Sequence, residues 1–383
     1  MPTLASLAQL ETPLVLLDAA KMSANIQRMQ QQMQALGVAF RPHVKTAKSV
    51  PVARLQAAAG ASGITVSTLK EADEFFGAGF DDILYAVGIT PNKLAHVQSL
   101  RERGCKLKVI VDSVAAAQAV AAHGEQQGQR FEVLIEIDTD GQRAGVAPAS
   151  DTLLDIGNAL HHNTGSALTG VMTHAGGSYG LHTPDALADF AEAERSGIVF
   201  AAQRLRDAGL PCAAVSVGST PTALSARALP GVTEVRAGVY VFHDLVMAGI
   251  GVCRVEDIAF SVLATVIGHQ PAKGWVLIDA GWMALSRDRG TQGQAVDQGY
   301  GLVCSEDGTP MPDWIVSAVN QEHGTLTRRG GSREGDDVQR RFAVGTRVRV
   351  LPNHACATAA QFSAYHVVQP GGQIEIWPRF GGW

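Results

Sequence analysis

A (β/α)8 barrel followed by an antiparallel β domain is the fold this sequence predicts, and three observations carry it. Short apolar, β-like runs alternate with helical runs through the first two thirds of the chain. Eight such runs can be read, seven of them with a helix before the next. Repeated βα units in one direction build a barrel. After about residue 260 the rhythm changes to strands separated by Gly-, Pro- and Asp-rich turns, the pattern of antiparallel pairing.

The elements follow in order. Residues 12–17 read as a strand ahead of the first helix, and belong with the β domain because the barrel is already full. Asp18 is a candidate N-cap; Met22, Ile26, Met29, Met33 and Leu36 then recur at helical spacing until Gly37 closes the helix. The methionines read as core filler. Barrel strands are expected at 38–41, 63–66, 83–86, 107–111, 132–137, 168–173, 213–217 and 233–236, with helices such as 69–78 and 184–208 between them. The β domain offers strands at 261–268, 275–278, 347–351 and 373–377, and a charged, glycine-rich surface loop at 328–337. The division predicted is a barrel over 18–258, with 1–17 and 259–383 forming a β domain.

Composition narrows the function classes. With 46% hydrophobic and 17% charged residues the chain has ample material for a large core. A formal charge of −5 argues against nucleic acid and anionic membranes as partners. No apolar run reaches the ~18 residues of a membrane helix, and residues 1–12 lack the cationic start of an export signal. Cys105, Cys212, Cys253, Cys304 and Cys356 are scattered and odd in number, so no disulfide framework is expected. A reduced, cytoplasmic enzyme acting on a small molecule is the reading.

Catalytic groups on barrels gather just past the strands. Lys45, in Arg41-Pro42-His43-Val44-Lys45-Thr46, follows the first strand. A lysine that loses hydration in a barrel mouth has a lowered pKa and an amine free for a Schiff base; the alternative is a solvated lysine, with Lys48 as competitor or as the start of the next helix. Arg143 follows strand five and can address a cofactor ring, or pair with Asp138 or Asp140. His174 follows strand six and can pack on a planar ring, or be a satisfied structural histidine. The turns Gly218-Ser219-Thr220 and Gly238-Val239-Tyr240 follow strands seven and eight, where barrels commonly bind phosphate through backbone N–H groups.

His354 and Cys356 form a His-x-Cys pair. On a strand the alternation would bring both side chains to one face, and imidazole with thiolate suits zinc or another borderline divalent ion. The alternative is a buried cysteine beside a structural histidine. Glu322, in Gln321-Glu322-His323-Gly324, can orient a metal ligand or simply sit in a turn.

Taken together, Arg41-Pro42-His43-Val44-Lys45, Gly218-Ser219-Thr220, Arg236-Ala237-Gly238-Val239-Tyr240, Asp279-Ala280-Gly281, Glu322-His323-Gly324 and His354-Ala355-Cys356 resemble the fold-type III pyridoxal-phosphate enzymes of the D-serine dehydratase and D-threonine aldolase group. The pieces span the chain nearly end to end in the family's order. The resemblance implies an alanine-racemase-like barrel plus a β domain, and a homodimer. It implies pyridoxal 5'-phosphate on Lys45, with Gly218, Ser219, Thr220, Gly238 and Tyr240 around the phosphate and Arg143 and His174 near the ring. It also implies a divalent metal (zinc, manganese or magnesium) on His354 and Cys356. The activity implied is dehydration of a D-3-hydroxy amino acid, of the D-threo-3-hydroxyaspartate, D-serine or D-threonine type, to a 2-oxo acid and ammonia. The aldolase branch typically carries His-x-Asp where this chain has His-x-Cys. Retro-aldol cleavage to glycine and an aldehyde is the rival activity, and a non-catalytic cofactor carrier is the rival class. Gly177 and Gly180 depart from the bulkier or acidic residues expected after strand six, which leaves the substrate side chain open.

Overall fold

The computed structural model describes residues 3–4, 7–331 and 337–383. Two compact units emerge, one of Gln27–Gly238 with Gly382–Trp383, the other of Met1–Ile26 with Val239–Gly381.

The first unit is the parallel barrel. Its strands are Ala39–Phe40, Ile64–Val66, Asp82–Gly88, Lys106–Val111, Phe131–Ile137, Ser166–Thr173, Ala214–Val217 and Glu234–Val235. Each of the eight falls on an expected run, and all pairings are parallel. The ring is completed by a bridge between His43 and Thr65, where Val44 N–H reaches Thr65 O at 2.9 Å. Hydroxyl caps begin the helices: Thr68 before Leu69–Gly77, Ser113 before Val114–Gln127 and Thr183 before Pro184–Asp207 each accept a backbone N–H of the first turn. Gly128 ends the second of these in the left-handed conformation. Leu84, Ile110, Leu134 and Met172 pack as an apolar layer across strands three to six.

Charge closes the strand starts. Arg41 donates to Glu234 at 2.6 Å and to Asp82 at 2.8 Å, and Lys108 meets Asp82 at 2.8 Å, so strands one, three, four and eight are clamped together. Gly63 makes room for the guanidinium: a Cβ there would stand 2.2 Å from Arg41 Nη1, at a φ of +75°. Lys48 does not begin a helix. It has a φ of +43° and pairs with the buried Glu71 at 3.1 Å, and the helix starts at Val50, with Pro51 behind it.

The second unit is built on a sheet of ten strands. Leu14–Asp18 joins it, pairing antiparallel with Phe260–Gln270 and parallel with Ala364–Val368. The latter is a parallel pairing inside an otherwise antiparallel sheet. Asp18 caps the following helix, Ala19–Ala35, by accepting Lys21 N–H at 3.0 Å. Trp275–Ile278 and Arg347–Leu351 are as expected. Leu302–Ser305, Pro310–Val319, Gly324–Arg328 and Ala364–Val368 are additional strands. Their apolar and polar residues do not alternate strictly, and two pairings carry bulges, so no local pattern marks them. Of the loop at 328–337, residues 332–336 lie outside the described set.

Residues 239–258 join this unit rather than the barrel. Leu245 and Ile258 share a core cluster with Leu302, Cys304 and Leu351, and Leu245 and Val246 N–H groups bond to Pro352 and Asn353 carbonyls. Apolar burial drives that attachment, and the βα rhythm gives no sign of it.

Candidate functional site

The barrel unit brings Lys45, Arg143, His174, Gly218, Ser219, Thr220 and Gly238 to the ends of its strands. Tyr240, His354 and Cys356 belong to the other unit, where Tyr240 is buried in a short helical turn, Val239–Val241.

Lys45 is exposed, so the expected loss of hydration is not a property of this chain alone. Lys48, its competitor, is engaged by Glu71. The charge of Lys45 reaches both His43 and His174. His174 Nδ1 lies 2.8 Å from the Gly218 carbonyl oxygen; since a carbonyl only accepts, Nδ1 carries the proton and donates it. Burial, then the charge of Lys45, pushes its pKa down to about 3, against the raising effect of that carbonyl. The ring is therefore neutral at physiological pH, with Nε2 as an acceptor. His43 Nδ1 is a buried nitrogen without a partner among the described residues.

Arg143 is exposed and pairs at 3.4 Å with Glu136, not with Asp138 or Asp140. Those two aspartates instead take backbone N–H groups of their own loop, from Gly141 at 2.6 Å and Gln142 at 3.2 Å. Burial raises the Glu136 pKa and Arg143 opposes it. Glu136, Asp140, Gln142, Arg143, Ala144, His174 and Gly176 line a cavity of about 220 Å³. Asp140 also holds Gly177 N–H at 2.8 Å.

Gly218 has a φ of +154°, and a Cβ there would lie 1.9 Å from Arg236 O, so only glycine fits this turn. Ser219 caps the helix Thr220–Ser225 in a capping box with Thr222. At Gly238, a Cβ would meet His43 O and Thr46 Oγ1 at 3.2 Å. Two narrow backbone turns, an exposed lysine amine and a neutral imidazole suit a phosphorylated carbonyl cofactor.

The His-x-Cys pair is not on a strand. The strand ends at Leu351, and His354 is the N-cap of the short helix Ala355–Ala359. Its extended backbone, φ −135° and ψ 104°, lets its ring and the Cys356 side chain hydrogen-bond to each other. The segment is pinned on both sides. Asp244, fully buried, accepts Ala355 N–H at 3.0 Å, and Asn353 donates to the carbonyls of Asp288 at 2.9 Å and Gly299 at 2.7 Å. Asp288 Oδ2 lies 2.8 Å from His354 Nδ1. The Asp288 contact, then the Cys356 contact, push the His354 pKa up to about 11. A field that holds a proton so firmly is one that favours a cation, and imidazole with thiol is a fitting donor pair for a divalent metal.

Glu322 sits exposed in a turn and does not orient His354. Asp288 does. In the sequence it lies in a short, polar, turn-like run, Arg287-Asp288-Arg289-Gly290. Its partner stands 66 positions away, which no local pattern announces.

Comparison with known proteins follows the same two parts. Residues 17–245 match the alanine racemase N-terminal domain and residues 259–368 the serine dehydratase domain. D-threo-3-hydroxyaspartate dehydratase of Delftia sp. (strain HT23) is 62% identical over 380 residues, covering 99% of each chain. Its solved structure superposes with a TM-score of 0.98 at 61% identity, over 99% of this chain and 100% of that one. A mutant of that enzyme is known in a metal-free form. D-serine dehydratase of Dictyostelium discoideum is 30% identical, covering 95% of each chain. D-threonine aldolase of Arthrobacter sp. is 29% identical over 97% of this chain and 92% of its own.

Proposed function

Because the chain belongs to the fold-type III pyridoxal-phosphate family that joins an alanine racemase N-terminal domain to a serine dehydratase domain, we propose that it converts a D-3-hydroxy amino acid to a 2-oxo acid and ammonia. It is a lyase, a dehydratase acting on D-hydroxy amino acids. D-threo-3-hydroxyaspartate leads the substrate panel, since the 62% identical relative bears that name; D-serine and D-threonine follow.

Bound pyridoxal phosphate supplies an electron sink for charge left at Cα, and a divalent ion supplies a Lewis acid for a departing hydroxyl. In this reading Lys45 would hold the cofactor and take the α-proton at its Nζ. Support comes from its exposed position after strand one and from the engagement of Lys48 by Glu71. Gly218, Ser219, Thr220, Gly238 and Tyr240 receive the phosphate. Arg143 and neutral His174 serve the ring, and the latter adds no positive charge to the mouth. His354 and Cys356 hold the metal, and Asp288 fixes the tautomer and direction of the imidazole.

The observation that carries dehydration over retro-aldol cleavage is the thiol at Cys356, together with the closer identity to the dehydratase. A carboxylate in that place can accept the hydroxyl proton and so assist Cα–Cβ cleavage; a thiolate does so poorly. The test is a product assay over D-threo-3-hydroxyaspartate, D-serine and D-threonine. Ammonia and 2-oxo acid are expected, and glycine with an aldehyde as the main products would replace this reading with the aldolase one.

A homodimer and a cytoplasmic setting complete the proposal. The five cysteines are all free thiols, and no helix among the described residues is long and apolar enough to cross a membrane. Sedimentation at micromolar protein tests the dimer.

A further inference from the structure

Helix Pro184–Asp207 buries an apolar stripe made of Leu187, Ala188, Ala191, Ile198, Ala201, Ala202 and Leu205. Glu194 stands in the middle of that stripe, 3% exposed. A carboxylate at a core position is costly unless hydrogen bonds satisfy it. Glu194 does not spend its oxygens on its own helix. Oε1 accepts the N–H of Gly218 at 2.7 Å, and the neighbouring Thr222 hydroxyl favours the ionised form of the carboxyl.

Thr222 stands beside this carboxyl in the capping box: its Oγ1 accepts Ser219 N–H at 3.2 Å and donates to Ser219 O at 3.5 Å. Ser219 Oγ accepts Thr222 N–H at 3.2 Å. Ser178 donates its own proton to Ala175 O at 2.7 Å, so it can only accept from Ser219, 3.0 Å away. One buried carboxyl thus borders a chain of hydrogen bonds through both hydroxyls of the capping box. It also anchors the single residue of the turn that must be glycine. Burial raises its pKa to about 7, against the lowering effect of the Gly218 and Thr222 hydrogen bonds and of the Arg236 charge.

We propose that Glu194 is a positioning residue that holds the Gly218-Ser219-Thr220 turn in its phosphate-receiving form through Gly218 N–H and Thr222. This rests on the assignment of that turn to the cofactor phosphate. An acid behind an anion site acts here through its hydrogen bond to Gly218 N–H, because any negative charge on it opposes the ligand. Its burial and the pull of its donors keep it where it is despite that cost.

The test compares two probes on the full-length protein stripped of cofactor: pyridoxal 5'-phosphate and pyridoxal, which lacks the phosphate. The readout is the ratio of their dissociation constants. Wild type should prefer pyridoxal phosphate strongly. Glu194→Ala should cut that ratio about tenfold, the size of one lost buried hydrogen bond, with pyridoxal affinity unchanged. Glu194→Gln keeps an oxygen for Gly218 N–H and should recover part of the ratio. An unchanged ratio in Glu194→Ala overturns the proposal, as does an equal loss for both probes, which marks a merely structural role. If wild type itself shows no preference, the phosphate assignment fails and this proposal with it. Should Glu194→Ala not fold, Thr222→Val cuts the same chain one bond further on and its ratio decides.

Discussion

Asp288 Oδ2 lies 2.8 Å from Nδ1 of His354, so the histidine of the His-x-Cys pair is aimed by a carboxylate 66 positions away. Loss of such an orienting partner typically weakens a metal site ~10–100-fold. Asp288→Ala is therefore expected to lower zinc or manganese affinity by that factor, measured by competition with a chromophoric chelator. Glu322→Ala, in the exposed turn, should leave it unchanged. Chelation of the wild type should abolish turnover while the cofactor absorbance persists, since the His-x-Cys pair and the cofactor-suited turns belong to different compact units. If Asp288→Ala binds metal like the wild type, the assignment of His354 as a ligand loses its support.

The barrel was legible because its strands and helices obey local rules. Apolar runs bounded by Thr68, Ser113 and Thr183 caps repeat at short range, and the sequence shows each one directly. His354 and Cys356 were legible as a chemical pair, yet for the wrong geometric reason. Strand alternation was expected to join them, whereas an extended N-cap residue and the first turn of a helix do so. Asp288, Asp244 and Glu194 were not legible. Each acts on a backbone or side chain far along the chain, and a lone acid in a polar run or an apolar stripe carries no spacing to read. The additional strands Leu302–Ser305 and Ala364–Val368 were missed because tertiary pairing, not intrinsic alternation, defines them.

Lys45 and Lys48 make opposite predictions. Lys48 is held by Glu71 at 3.1 Å, while the Lys45 amine has no ion pair among the described residues. Borohydride reduction of the holoenzyme followed by peptide mapping should label Lys45. Lys45→Ala should lose the label and nearly all turnover. A labelled peptide that persists in Lys45→Ala would transfer the role to Lys48.

Arg41 belongs to the same motif as Lys45 but does different work. It joins strands one, three and eight through Glu234 at 2.6 Å and Asp82 at 2.8 Å. Removing one partner of a buried pair leaves the other uncompensated, at a cost of roughly 3 kcal/mol or more. Arg41→Ala should thus lower stability in urea by about that amount. Arg41→Lys should recover little, because an ammonium cannot reach both carboxylates with fixed geometry. A variant as stable as the wild type would show that the clamp is dispensable.

His174 makes acid stability a measurable consequence of the site. Its pKa falls from an ordinary 6.5 to about 3 in the folded protein, first through burial and then through Lys45, with Arg143 and Arg236 adding to it. The unfolded chain therefore binds a proton that the native state refuses. A depressed folded-state value contributes stability that is complete above pH 6.5 and is lost as pH falls toward 3. The slope for one such proton is at most ~1.4 kcal/mol per pH unit. Glutamine at this position cannot titrate, so His174→Gln has no such loss. The variant should be the less stable protein at pH 8, having lost the fit of the imidazole to Gly218 O. The gap should then narrow steadily between pH 6.5 and pH 4.5, read by urea denaturation at each pH. A gap that stays constant across that window would mean that His174 is protonated in the native state. The neutral ring, and with it the uncharged contact proposed for the cofactor, would then be wrong.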